Sequence, residues 1–147
     1  VVAYRVDPVE IHPIAEEFPL TAVYSGSKMK TVDVIRYLEE RRALNAVYFE
    51  RIFDRMDSSV EEVMEDFSQL GAMLVLNQKL MEEMGLCNAA LADIIGTFRS
   101  LKTPAKISGS GLGDCAIGLG AVAHAAPPFG DYPVYPLHVS THGITLT

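Results

Sequence analysis

The chain has 147 residues, enough for one domain with a real hydrophobic core. With 49% hydrophobic and 21% charged residues it has ordinary globular usage, which argues against disorder. A net charge of −7 argues against nucleic-acid binding, which needs a clustered basic face.

Taken in chain order, Val1–Val6 and Ile11–Ile14 read as short extended pieces interrupted by Pro8 and Pro13. Leu20–Tyr24 is a strand of β-branched and aromatic residues that stops at Ser25-Gly26. Thr31 is expected as an N-cap of a helix reaching about Met56, with Ile35, Leu38, Tyr48, Ile52 and Met56 on one side. Ser58, with Glu61 three residues on, has the capping-box pattern and is expected to open a second helix that Gly85 ends. Asn88 is the expected cap of a third helix, whose stripe is Leu91, Ile94, Ile95, Phe98 and Leu101.

Pro104 closes the helical part. Ala105–Ser108, Cys115–Gly120, Leu137–Ser140 and a last piece at Ile144–Leu146 read as strands, and Pro127–Pro136 as a loop. Strands, then helices, then strands define an α+β domain with an antiparallel sheet of about four strands and three main helices on one face. The longest apolar stretch, Cys115 to Phe129, contains His124 and reads as buried strand and loop, not a membrane span. Cys87 and Cys115 lack metal-ligand spacing and read as free thiols of a reducing cytoplasm. The four histidines show no ligand pairing, so no metal site is expected.

The chemistry concentrates in the segment Lys106-Ile-Ser-Gly-Ser-Gly-Leu-Gly-Asp-Cys115. Glycine tolerates φ > 0, and alternating glycines turn successive N–H groups into an anion-binding nest. Neither a P-loop nor the dinucleotide fingerprint fits, because no Lys-Ser/Thr pair follows and the glycine spacing differs. A ligand-free tight hairpin satisfies the composition equally well. Asn77 and Gln78 interrupt an apolar helix face, either lining a cleft or hydrogen-bonded across the helix layer.

The string from Lys106 to Gly120 resembles the third, C-terminal glycine-rich motif of the GHMP kinases. Ala22–Thr31, with Tyr24-Ser25-Gly26-Ser27-Lys28 and Thr31, is similar to the strand and loop that precede a long helix in the mevalonate-kinase branch. Asn77–Leu86 resembles a helix end of the same enzymes, and the three segments occur in family order. The resemblance implies a ferredoxin-like sheet and the C-terminal domain of an ATP-dependent small-molecule kinase of the mevalonate (isoprenoid) pathway. Mevalonate kinase is the nearest branch and phosphomevalonate kinase the next. A diphosphomevalonate decarboxylase domain and a standalone ferredoxin-like module that binds ligand or dimerises are the alternatives.

What the resemblance implies for residues is specific. Gly109, Ser110, Gly111 and Gly113 are expected beside the nucleotide or substrate phosphates, and Lys28 and Thr31 beside the substrate. Leu112 departs from the usual glycine, and Asp114 stands where many relatives have glycine; it reads as a turn residue, not a catalytic base. The family's main phosphate loop, Pro-x-x-x-Gly-Leu-x-Ser-Ser, is nowhere in the 147 residues. Residues 1–147 are therefore expected to be a single C-terminal domain without the N-terminal ATP-binding domain. That domain would be its partner, alongside a small molecule such as mevalonate. Catalytic residues are expected elsewhere, and the chain alone to be inactive. ATP and Mg²⁺ are expected only in the full-length enzyme, in the cytoplasm, with no nucleic acid or membrane partner. Homodimers are expected through the exposed cleft face. A side chain at Gly111 is expected to cost activity more than stability.

Overall fold

Strand β3 (Phe18–Tyr24) is the organising element, and the chain crosses four helices before returning to pair with it. The structure, a computed structural model, describes residues 2–122 and 128–141. Ahead of β3, β1 (Val2–Arg5) and β2 (Glu10–Pro13) form a separate antiparallel hairpin. After it come α1 (Thr31–Leu44), α2 (Ala46–Glu65), a 3-10 turn at Phe67–Gln69, α3 (Leu70–Glu83) and α4 (Ala89–Ser100). Strands β4 (Ala105–Ile107), β5 (Cys115–Leu119) and β6 (Val134–Val139) complete a four-stranded sheet in the order β4-β5-β3-β6. Every pairing is antiparallel, with Leu20 opposite Leu119 on one side and Leu137 on the other. The order is that of a ferredoxin-like sheet, and the α+β expectation holds.

The helices differ from expectation in number and bounds. Thr31 is the first helical residue, not the cap; Lys30 occupies the cap position and its side chain makes no capping bond. The single helix to Met56 divides at Asn45, whose Oδ1 accepts the Tyr48 N–H at 3.2 Å. Ser58 opens nothing, since α2 runs on to Glu65. The neighbouring Ser59 hydroxyl donates to the Met56 carbonyl at 2.7 Å, a bond that keeps a serine inside a helix. The break falls instead at Asp66, whose Oδ1 accepts from Ser68 N–H at 3.0 Å while Gln69 Nε2 reaches Oδ2. Of the residues expected on one side of that helix, Ile35 and Tyr48 are exposed, whereas Ile52 is buried. Asn88 caps α4 as expected, through Leu91 N–H at 3.0 Å, and Gly85 ends the preceding helix at φ 77°.

The core lies between the helices and the sheet, built on Val23, Val34, Leu80, Leu91, Ile94, Phe98, Ile107 and Ala116. Phe129 packs its ring 4.7 Å from that of Phe98, which anchors the connection before β6. β6 begins three residues earlier than expected and tolerates Pro136. Ladder bonds alternate from the Tyr24 N–H to Pro133 carbonyl bond, so the proline nitrogen falls on the open edge. The expected last strand at 144–146, His124 and His142 lie outside the described residues.

Candidate functional site

The glycine-rich segment is a turn between β4 and β5 that follows an unusual backbone path. Gly109, Gly111, Leu112, Gly113 and Asp114 have φ of 79°, 87°, 56°, 133° and 70°. Glycine is demanded twice over at two of these positions. A Cβ on Gly111 would lie 2.7 Å from both the Cβ and the carbonyl oxygen of Leu86. One on Gly113 would lie 2.7 Å from the Ser27 carbonyl oxygen and 3.0 Å from Lys28 Cα. Gly109 is exposed, and a Cβ there would meet nothing within 4 Å, so its only constraint is conformational.

Two neighbours hold this loop. The Leu112 N–H donates to the Leu86 carbonyl at 2.7 Å, just past the end of α3. The Asp114 N–H donates to the Ser27 carbonyl at 2.6 Å, and the Ser25 N–H donates to the Asp114 carbonyl at 2.8 Å. The Ser25 hydroxyl closes the second loop on itself by donating to the Ser27 carbonyl. The segments 25–28 and 108–114, which are distant in sequence, are thus stitched side by side. By contrast, the amides of Gly109, Ser110, Gly111 and Gly113 donate to no protein acceptor among the described residues. Gly111 and Gly113 are buried and Ser110 half-buried, where an amide without a partner is costly; such amides are donors open to acceptors from outside the chain.

Lys28 Nζ lies 2.7 Å from Asp114 Oδ2, and this ion pair raises the lysine pKa from its ordinary value. Lys28 therefore lies beside the loop. Asp114 is more than a turn residue, because its carboxylate is the lysine's counter-ion. Thr31 is exposed at the start of α1, and its hydroxyl makes no hydrogen bond among the described residues. Beside Ser25 and Gly26 opens a cavity of about 540 Å³ that also takes in Asp93, Thr97, Phe129 and Tyr132.

The edge of the sheet is closed by side chains. Gln78 is 1% exposed; its Oε1 accepts the Ile107 N–H at 2.8 Å, and its Nε2 donates to Glu82 Oε1 at 2.9 Å. Arg99 pairs with the same Glu82 oxygen at 2.8 Å. Lys106 Nζ donates to the Ile107 carbonyl at 2.7 Å, and burial pushes its pKa down. The polar Gln78 on an apolar helix face is thus the hydrogen-bonded kind, satisfying the outward backbone of an edge strand. The sequence singled out Gln78 and placed Lys106 at the head of the glycine-rich segment, but not the bond Lys106 makes to the Ile107 carbonyl, for which a lysine within a strand was the available signal. Among the described residues no group of three or more His, Cys, Asp or Glu is placed to hold a metal ion, and no helix is long and apolar enough to cross a membrane.

A four-stranded antiparallel sheet under one helical layer, with a glycine-rich turn against the β3–α1 loop, defines the C-terminal domain of a GHMP kinase. The family described as "GHMP kinases C terminal" matches residues 50–126, and the chain belongs to it. The mevalonate kinase of Saccharolobus solfataricus is 30% identical over 112 residues, covering 71% of this chain and 35% of that relative. The chain therefore spans about a third of the length of that curated relative. Among solved structures, L. major mevalonate kinase in complex with R-mevalonate superposes with a TM-score of 0.71 at 23% identity, covering 88% of this chain and 45% of that one. Streptococcus pneumoniae phosphomevalonate kinase, solved with phosphomevalonate and AMPPNP, gives 0.67 at 17% identity, covering 89% and 43%. At these identities the structural likenesses speak to the fold.

Proposed function

We propose that this chain is the C-terminal domain of an ATP-dependent cytoplasmic kinase of the mevalonate pathway, whose N-terminal domain supplies the main nucleotide loop and the catalytic residues. The acceptor is mevalonate or, as the nearest alternative, phosphomevalonate. The observation that carries this reading is the row of unpartnered amides at Gly109, Ser110, Gly111 and Gly113, in a backbone path of positive φ beside Lys28. Such a path makes a nest for phosphate oxygens.

The residues present suit phosphate oxygens better than a metal ion. Bound Mg-ATP supplies the transferable phosphoryl group and neutralises part of its charge. In this reading the loop amides receive phosphate oxygens, and Lys28 offers them a point charge. The Leu112–Leu86 and Asp114–Ser27 hydrogen bonds hold the loop in this shape. Positioning and charge neutralisation make up most of phosphoryl-transfer catalysis, and these residues contribute both without moving a proton. In this reading Thr31, exposed at the head of α1 with a hydroxyl that makes no hydrogen bond among the described residues, faces the acceptor.

The test is coupled ADP release by the full-length protein with mevalonate, with phosphomevalonate and with neither. Turnover on the order of 1–10³ s⁻¹ with one of the two acceptors is expected, and none from the 147-residue chain alone. Failure of the full-length protein with both acceptors would overturn the acceptor assignment. Turnover by the chain alone would overturn the division of labour between domains.

A further inference from the structure

We propose that Asp114 sets the affinity of this site by holding the Lys28 ammonium against itself, so that the ligand group able to recruit Lys28 is a phosphate rather than a carboxylate. The inference rests on the phosphate-site reading above. Both backbone groups of Asp114 are hydrogen-bonded to the 25–28 loop, through Ser27 and Ser25, and its φ is 70°. Left-handed backbone is tolerated by Asp and Asn better than by most residues, so Asp114 occupies a place that otherwise favours glycine. A glycine there would leave Lys28 Nζ without the partner it now has at 2.7 Å.

The pair is open to solvent, with Lys28 61% and Asp114 36% exposed at the side chain. An incoming anion can therefore reach the lysine without first unburying it. Each anion must compete with a carboxylate already in contact. A carboxylate ligand brings one negative charge, the same as Asp114, and gains nothing by the exchange. A phosphate group brings about −1.5 to −2 at neutral pH and three acceptor oxygens. In the reading above, its additional oxygens go to the loop amides that have no acceptor among the described residues, of which Gly113 lies against Lys28. Asp114 thus weakens the hold of Lys28 on any anion, and a phosphate, with more oxygens for the loop amides, makes up more of that loss than a carboxylate does. Nucleotide and phosphorylated acceptor both carry such a group, and kinetics separates them.

The experiment measures the KM of the full-length protein for ATP and for its acceptor in four forms: wild type, Asp114→Asn, Lys28→Met and the double variant. Asparagine keeps the left-handed backbone and the volume while removing the charge. Asp114→Asn is expected to lower the KM of the ligand whose phosphate meets Lys28 by about two- to fivefold, the strength of an exposed ion pair. The gain should vanish in the Lys28→Met background and fade at high salt. Whether the ATP or the acceptor KM falls names the source of the phosphate. Acetate, tested as an inhibitor at constant ionic strength, should compete more strongly with Asp114→Asn than with wild type. If Lys28→Met raises a KM while Asp114→Asn lowers none, Asp114 positions the lysine instead of competing for it. That result overturns this proposal and leaves the phosphate site standing. If Lys28→Met moves neither KM, Lys28 is not at the site, and the proposal falls with that part of the functional reading.

Discussion

Alanine at each of three glycines separates the loop's shape from its packing. All three positions have positive φ, a conformation that costs an L-residue about 1–2 kcal/mol. For Gly109→Ala that is the whole expected cost, because no atom lies within 4 Å of the new methyl group. Gly111→Ala adds a methyl group 2.7 Å from the Leu86 carbonyl oxygen, the acceptor of the Leu112 N–H. Overpacking adds about 1–3 kcal/mol, and a weakened hydrogen bond about 0.5–1.5 kcal/mol. The total for Gly111 is then about 3–6 kcal/mol, and Gly113, against Ser27 and Lys28, belongs in the same class. In a domain of this size each kcal/mol shifts Tm by about 2–4 °C. Calorimetry should therefore show a fall of about 2–8 °C for Gly109→Ala and about 6–24 °C for Gly111→Ala. The expectation from sequence, that a side chain at Gly111 costs activity more than stability, accordingly passes to Gly109. In the full-length protein Gly109→Ala should lower kcat/KM while the fold survives. Equal losses of Tm at Gly109 and Gly111 would refute the packing argument. An unchanged kcat/KM in Gly109→Ala would remove the loop from the phosphates.

Gln78→Leu leaves the buried Ile107 N–H without an acceptor and should cost about 1–3 kcal/mol in urea unfolding, whereas an unchanged midpoint would mean that β4 does not need this bond. Gly118→Ala drives a methyl group to 2.3 Å from the Phe98 ring, so thermal melting should fall by the equivalent of at least about 1–3 kcal/mol; a neutral substitution would show that the ring is free to move. The Thr141 N–H and hydroxyl both donate to Glu17 and hold its pKa below the ordinary 4.5. A lowered carboxylate pKa gives stability that is present above the unfolded value and lost as pH falls through the folded one. The Thr141 amide resonance should therefore titrate with a midpoint below 4.5, and a midpoint at or above that value would contradict the contact.

The elements legible in the sequence were those whose signal is local. Asn88 before an apolar stripe, Gly85 after one, and the β-branched run into Tyr24 each state their structure within a few residues. The helix boundaries at 45 and 66 were missed because Ser58 and Glu61 imitate a cap. The true caps, Asn45 and Asp66, interrupt patterns that otherwise look continuous. At the site, the glycine spacing announced an unusual turn, but its reasons are tertiary. Leu86 and Ser27 approach Gly111 and Gly113 from segments far away in the chain, and no periodicity reports such contacts. The partnership of Lys28 with Asp114, 86 positions apart, was likewise invisible until the two loops were seen side by side.

In the proposed function, ligand phosphates meet the amides of the 109–113 turn. Amide resonances of the isotope-labelled full-length protein, followed on adding AMPPNP with and without acceptor, test it directly. Saturable shifts are expected at Gly109, Ser110, Gly111 and Gly113, whose amides have no protein acceptor among the described residues. Saturation of the protein with both ligands while these four resonances stay in place would contradict it.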